Sequence, residues 1–185
     1  MIDIRCYADK NKSGAAAAAF GAEAIARVIG ERGRAAIVLA TGASQFEMLA
    51  ALVQAPGVDW SRVTAFHLDE YIGMSAKHPA SFRGYLKERF CDRLPKLGAF
   101  HYIEGDAPDL NAEVARLNAL IDRDPIDVMF AGIGENGHLA FNDPPADFDT
   151  ATGFKIVQLD DRCRQQQFGE GWFKSFADVP SQAIS

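Results

Sequence analysis

"RAAIVLATGASQFEMLAAL", residues 34–52, decides how the chain folds. Every residue from Ala35 to Ala40 is apolar, whereas a strand with one wet face alternates, so the run reads as a strand covered on both faces. Thr41 and Gly42 leave the strand, Ala43 and Ser44 turn, and a helix follows with Ser44 as its cap. The same alternation continues outward. Residues 62–68, 99–103, 126–133 and 154–159 are further strand candidates, and 13–31, 44–54, 79–93, 109–123 and 160–170 have helical character. A βαβα order implies an α/β fold, a mostly parallel sheet with helices on both faces, and ligands bound beyond the carboxyl ends of the strands.

Composition narrows the partners. A chain of 185 residues with 48% hydrophobic and 24% charged residues is long enough for one sizeable core, and we read residues 1–185 as a single domain. Its formal net charge of -6 without a cluster of Lys or Arg argues against a nucleic-acid partner, because phosphate backbones are gripped by clustered cations. Loop amides still suit a small anion. Cys6, Cys91 and Cys163 are odd in number and far apart, which suggests neither a disulfide framework nor a zinc ribbon and points to a reducing, cytoplasmic setting. The alanine-rich segment after Ser13 reads as a helix capped by that serine, and no run reaches the ~18 apolar residues of a membrane span.

Two more loops resemble the first in placement. "AFHLDEYIG" (65–73) ends a strand in acids, with His67 and Asp69 on one face and Glu70 turned away or already in the loop. An aspartate at a strand end is placed to be partly desolvated and to act as a base. Taken alone, the pair reads more readily as a cap or salt bridge for the next segment, made by Asp69 or Glu70, with His67 packed. "FAGIGENGHLAFNDPP" (130–145) leaves a strand through Gly132 and Gly134, turns at Gly137 and presents His138, with Asp143 five residues on to orient it. A metal held by His67, Asp69 and His138 has no supporting motif, and none is expected.

"LATGAS", "FHLDEYIG", "HPASFRGYL" and "GIGENGHLAFNDP", in that order, resemble the glucosamine-6-phosphate deaminase/isomerase family within the 6-phosphogluconolactonase superfamily. Lactonases differ at two of these places, tending toward Asp-Glu-Arg after the strand and a Gly-His-Thr-Ala-Ser loop. The resemblance implies a modified Rossmann-like fold. It implies a phosphosugar substrate, conversion of a hexosamine 6-phosphate to fructose 6-phosphate and ammonia, and no metal or organic cofactor. By position, Asp69 is the base that moves the C2 proton to C1, and His138 opens the pyranose ring with Asp143 behind it. Asn136 orients by hydrogen bonds, because an amide cannot relay a proton. Thr41, Gly42, Ala43 and Ser44 form the phosphate and sugar loop, and Gly134 and Gly137 of the histidine loop join them in binding the substrate.

The departures from the pattern carry expectations too. Asp143 replaces a more usual glutamate, one methylene longer, so weaker support of His138 is expected. Family members continue beyond the point matching Ser185 and carry a phosphate-binding lysine there. Arg162 and Arg164 are insecure matches for an assisting arginine, with glutamines nearer its place, and Lys155 alone aligns with the regulatory basic residues. The expectation is an unregulated enzyme, or a piece with an incomplete phosphate grip, and association into a homo-oligomer is open. A sugar-lactone hydrolase and a non-catalytic phosphosugar sensor are the alternative readings.

Overall fold

The computed structural model describes residues 2–123, 125–134, 137–143 and 145–185. Asn136, one of the expected site residues, lies outside them. The chain opens with α1 (Lys10–Arg32), then β1 (Ala35–Leu39), α2 (Phe46–Leu52), β2 (Val63–His67), β3 (Glu70–Tyr71) and α3 (Phe82–Arg89). It continues through β4 (Ala99–His101), α4 (Leu110–Ile121), β5 (Val128–Phe130), β6 (Ile156–Gln158), α5 (Asp161–Gly169) and β7 (Gln182–Ile184).

β4, β2, β1 and β5 form, in that order, a four-stranded sheet whose three pairings are all parallel, with Leu39 opposite both His67 and Phe130. All five residues of β1 are buried, and its two faces feed two cores. Ala35, Ile37 and Leu39 join Ile25 of α1, Leu49 and Leu52 of α2 and Leu86 of α3 in one cluster. Ala36 and Val38 join Phe66, Ile103, Leu117 of α4 and Phe154 in another. A solid apolar run is therefore what a strand between two helical layers requires. Asp127 ties the start of β5 to this layer, accepting from the Ala36 amide at 2.8 Å and pairing with Arg32 at the end of α1.

The last expected strand, 154–159, forms over Ile156–Gln158 but outside the parallel sheet. β3, β7 and β6 make a second, antiparallel sheet. Tyr71, Phe141, Cys163, Phe173 and Ala183 pack beneath it in a third cluster. Two expected caps also move. Asp9, not Ser13, caps α1, accepting from the Lys12 amide at 2.8 Å. Its carboxylate stands at the position whose extended backbone aims a side chain at the first turn, leaving Ser13 inside the helix. Ser44 caps nothing: Gly42, with φ +100°, leads into a single 3-10 turn over Ala43–Gln45, and α2 starts only at Phe46.

Candidate active site

The carboxyl ends of β1, β2 and β5 open on one pocket of 210 Å³. Thr41, Gly42, Ala43 and Ser44 after β1, Leu68 and Asp69 after β2, and Gly132, Gly134 and His138 after β5 line it, with Phe82 of α3 opposite. Parallel strands deliver three loops to the same edge, so residues far apart in sequence meet without any long connection. The first loop is buttressed from α3. Tyr85 donates to the Gly42 carbonyl at 3.0 Å and stacks on Phe46, and Arg89 lies over both rings.

Between β2 and β3, two adjacent acids do different work. The Glu70 carboxylate is buried and accepts from the Ser81 hydroxyl at 2.9 Å, from the Arg83 amide at 2.7 Å, and from the Phe82 and Tyr71 amides. Ser81, the cap of α3, in turn accepts from the Gly84 amide. Glu70 thus satisfies amides that the first turn of α3 cannot pair internally, and it lies where the helix dipole favours a negative charge. The capping alternative holds for Glu70, while Asp69 lines the pocket. Burial, and then the neighbouring Glu70 charge, push the Asp69 carboxyl up to about 7. His67 is packed, fully buried, with Nδ1 facing the Ile103 amide at 3.5 Å. Burial holds His67 down at about 3, so it is neutral.

The third loop is built around the His138 ring. The Gly134 amide donates to the His138 carbonyl and the Gly137 amide to the Gly134 carbonyl, both at 2.9 Å, and Gly137 holds a φ of +88° that favours glycine. A Cβ on Gly134 would overlap the imidazole itself. Glycine there lets the ring lie against the backbone. His138 Nδ1 is 3.0 Å from Asp143 Oδ1, and both side chains are nearly buried. The Asp160 amide donates to Asp143 Oδ2 at 2.9 Å. The expected weakening from the shorter acid is not seen in the geometry, because the loop brings Asp143 to the ring and the start of α5 holds its other oxygen. Asp143 and Gly137 are not among the residues that line the pocket.

Sequence reasoning passed over α5 as a source of pocket residues. Gln166, Gln167 and Glu170 line the pocket, and the buried Tyr71 hydroxyl donates to Gln167 Oε1 at 2.8 Å, fixing that amide. Positions 163, 166, 167 and 170 follow helical spacing and lie on one face, a signal that was legible in "CRQQQFGE". Arg164 is committed elsewhere, donating to the Val179 carbonyl at 3.0 Å and lying over Phe176. Lys155 pairs with Asp147 at 2.7 Å. Among the described residues, no Lys or Arg lines the pocket.

Comparison with known proteins agrees with this geometry. A family model described as "Glucosamine-6-phosphate isomerases/6-phosphogluconolactonase" matches residues 8–151. The glucosamine-6-phosphate deaminase of Exiguobacterium sp. is 39% identical over 147 residues, covering 80% of this chain and 56% of the relative. That of Streptococcus sanguinis is 37% identical over 154 residues, covering 83% and 63%. The chain therefore spans about three fifths of the length of these curated relatives. A solved structure of a monomeric glucosamine-6-phosphate deaminase superposes over 100% of this chain and 75% of its own, with TM-score 0.83 and 28% identity. A 6-phosphogluconolactonase from Shewanella baltica, at 17% identity and TM-score 0.77 over 97% of this chain and 72% of its own, shares the fold. With three loops meeting at one sheet edge and the family match extending over most of its length, the chain belongs to the glucosamine-6-phosphate isomerase/6-phosphogluconolactonase family.

Proposed function

We propose that the pocket carries out aldose-ketose isomerisation with deamination, converting glucosamine 6-phosphate and water to fructose 6-phosphate and ammonia. The observation that carries this reading is the meeting of two separate proton-transfer groups in one pocket: Asp69, with its carboxyl near neutrality, and His138, seated on Asp143. His138 moves the proton that opens the ring. Asp69 then takes the C2 proton and returns it to C1, after which water adds at C2 and ammonia leaves. A base poised near the working pH suits that transfer. Thr41, Gly42, Ala43 and Ser44 hold the sugar and phosphate end, and the amides of Gln166 and Gln167 add neutral hydrogen-bonding groups.

The deaminase names of the relatives and the "AFNDP" segment support this reading over lactone hydrolysis. A cytoplasmic protein without a nucleic-acid partner belongs to the same proposal, supported by three unpaired cysteines and the net charge of -6. Among the described residues, no helix is long and apolar enough to cross a membrane. The test is release of ammonia and fructose 6-phosphate from glucosamine 6-phosphate, run beside hydrolysis of 6-phosphogluconolactone. Turnover of the lactone alone would overturn the proposal.

A further inference from the structure

His138 and Asp143 meet a third group that the proposed reaction does not use. Cys163, in the first turn of α5, is 1% exposed. One ligand atom each from His138, Asp143 and Cys163 lies within 4.8 Å of the other two. We propose that these three side chains form a binding site for a divalent metal ion of zinc type.

The donor set selects the ion. Imidazole, carboxylate and thiolate together suit zinc, whereas magnesium and calcium take oxygen donors. The spacing agrees: nitrogen and oxygen ligands held at about 2.0–2.1 Å in a tetrahedron stand roughly 3.3 Å apart, and His138 Nδ1 and Asp143 Oδ1 are at 3.0 Å. A shift of a few tenths of an ångström brings this pair to that spacing, and the Cys163 sulfur, within 4.8 Å of both, must come to roughly 3.6 Å of each to complete the site. The Asp160 amide already holds Asp143 Oδ2, leaving Oδ1 toward the histidine, the kind of outer hydrogen bond that orients a ligating carboxylate. His138 also lines the pocket, which supplies an entry path. Binding exchanges the thiol proton, and any proton shared between His138 and Asp143, for the metal, with no change in oxidation state. If the proposed function holds, the occupied site removes His138 from proton transfer, and zinc is an inhibitor.

The experiment is a cobalt(II) titration of the reduced full chain, followed by its absorption spectrum. One equivalent should bring up a thiolate-to-cobalt charge-transfer band that zinc(II) bleaches. A chain carrying Cys6→Ser and Cys91→Ser should keep the band, Cys163→Ser should lose it, and His138→Gln should weaken cobalt binding at least about tenfold. If Cys163→Ser fails to fold, the double serine chain and His138→Gln still decide the question. No band in the parent, a band surviving Cys163→Ser, or a band lost in the double variant would overturn the site. The readout is the metal and not turnover, so failure here leaves the deaminase reading standing.

Discussion

At the scale of single residues, the run His67, Leu68, Asp69, Glu70, Tyr71 shows how environment assigns roles. Asp69 and Glu70 are adjacent acids, and burial raises both. Glu70 recovers part of that cost from the hydroxyl and amides it accepts from at the head of α3, while Asp69 lines the pocket. An acid whose folded pKa stands above its unfolded value contributes stability below about pH 4. It loses that contribution as pH climbs to about 7, because the unfolded chain releases its proton first. Asp69→Asn should therefore raise the melting temperature more at pH 8 than at pH 5. The same substitution should cut kcat for ammonia release by about 10²–10⁴, the range for a lost general base. Glu70→Gln should destabilise by roughly 1–3 kcal/mol in urea unfolding, since its new NH₂ group faces donors. It should also move the rising limb of the pH-rate profile to lower pH, because the Glu70 charge helps hold Asp69 up.

At the scale of elements, the loops matter more than the helices that carry them. Gly134 is required by the His138 ring lying on its backbone. Gly134→Ala should displace the imidazole and lower kcat by about 10²-fold, the cost of an ångström-scale misplacement. Circular dichroism would distinguish this from a loss of fold. The three loops were legible because glycines, acids and a histidine cluster at predicted strand ends. The caps were less so. Ser13 and Ser44 are good capping residues by type, but the cap goes to whichever residue holds the extended backbone at the helix entrance. That residue is Asp9 for α1, while a 3-10 turn intervenes before α2. The face of α5 was missed because a polar helix face usually means solvent, and only its packing against Tyr71 shows that Gln167 turns inward.

At the scale of the whole molecule, the chain joins two sheets that periodicity could not separate. The parallel sheet was readable from its buried runs and the helices between them. β6 and β7 pair antiparallel, and β7 also pairs with the short β3 more than a hundred residues earlier. Such non-local partners leave no trace in local alternation. The second sheet nevertheless positions the site: Tyr71 of β3 fixes Gln167, and Phe141 beside the histidine loop packs into the core beneath the sheet. The proposed reaction requires Asp69 and His138 to act together in the pocket that both line. The measurement that tests it most directly is kcat/KM for ammonia release from glucosamine 6-phosphate, taken from about pH 5 to about pH 9 for the parent and for Asp69→Asn. The parent rate should rise through a pKa of about 7, and the variant should be slower by about 10²–10⁴ above that pKa, with the gap narrowing toward pH 5 as the parent's carboxylate takes up its proton. A variant as fast as the parent, or a parent profile flat across this range, would contradict it.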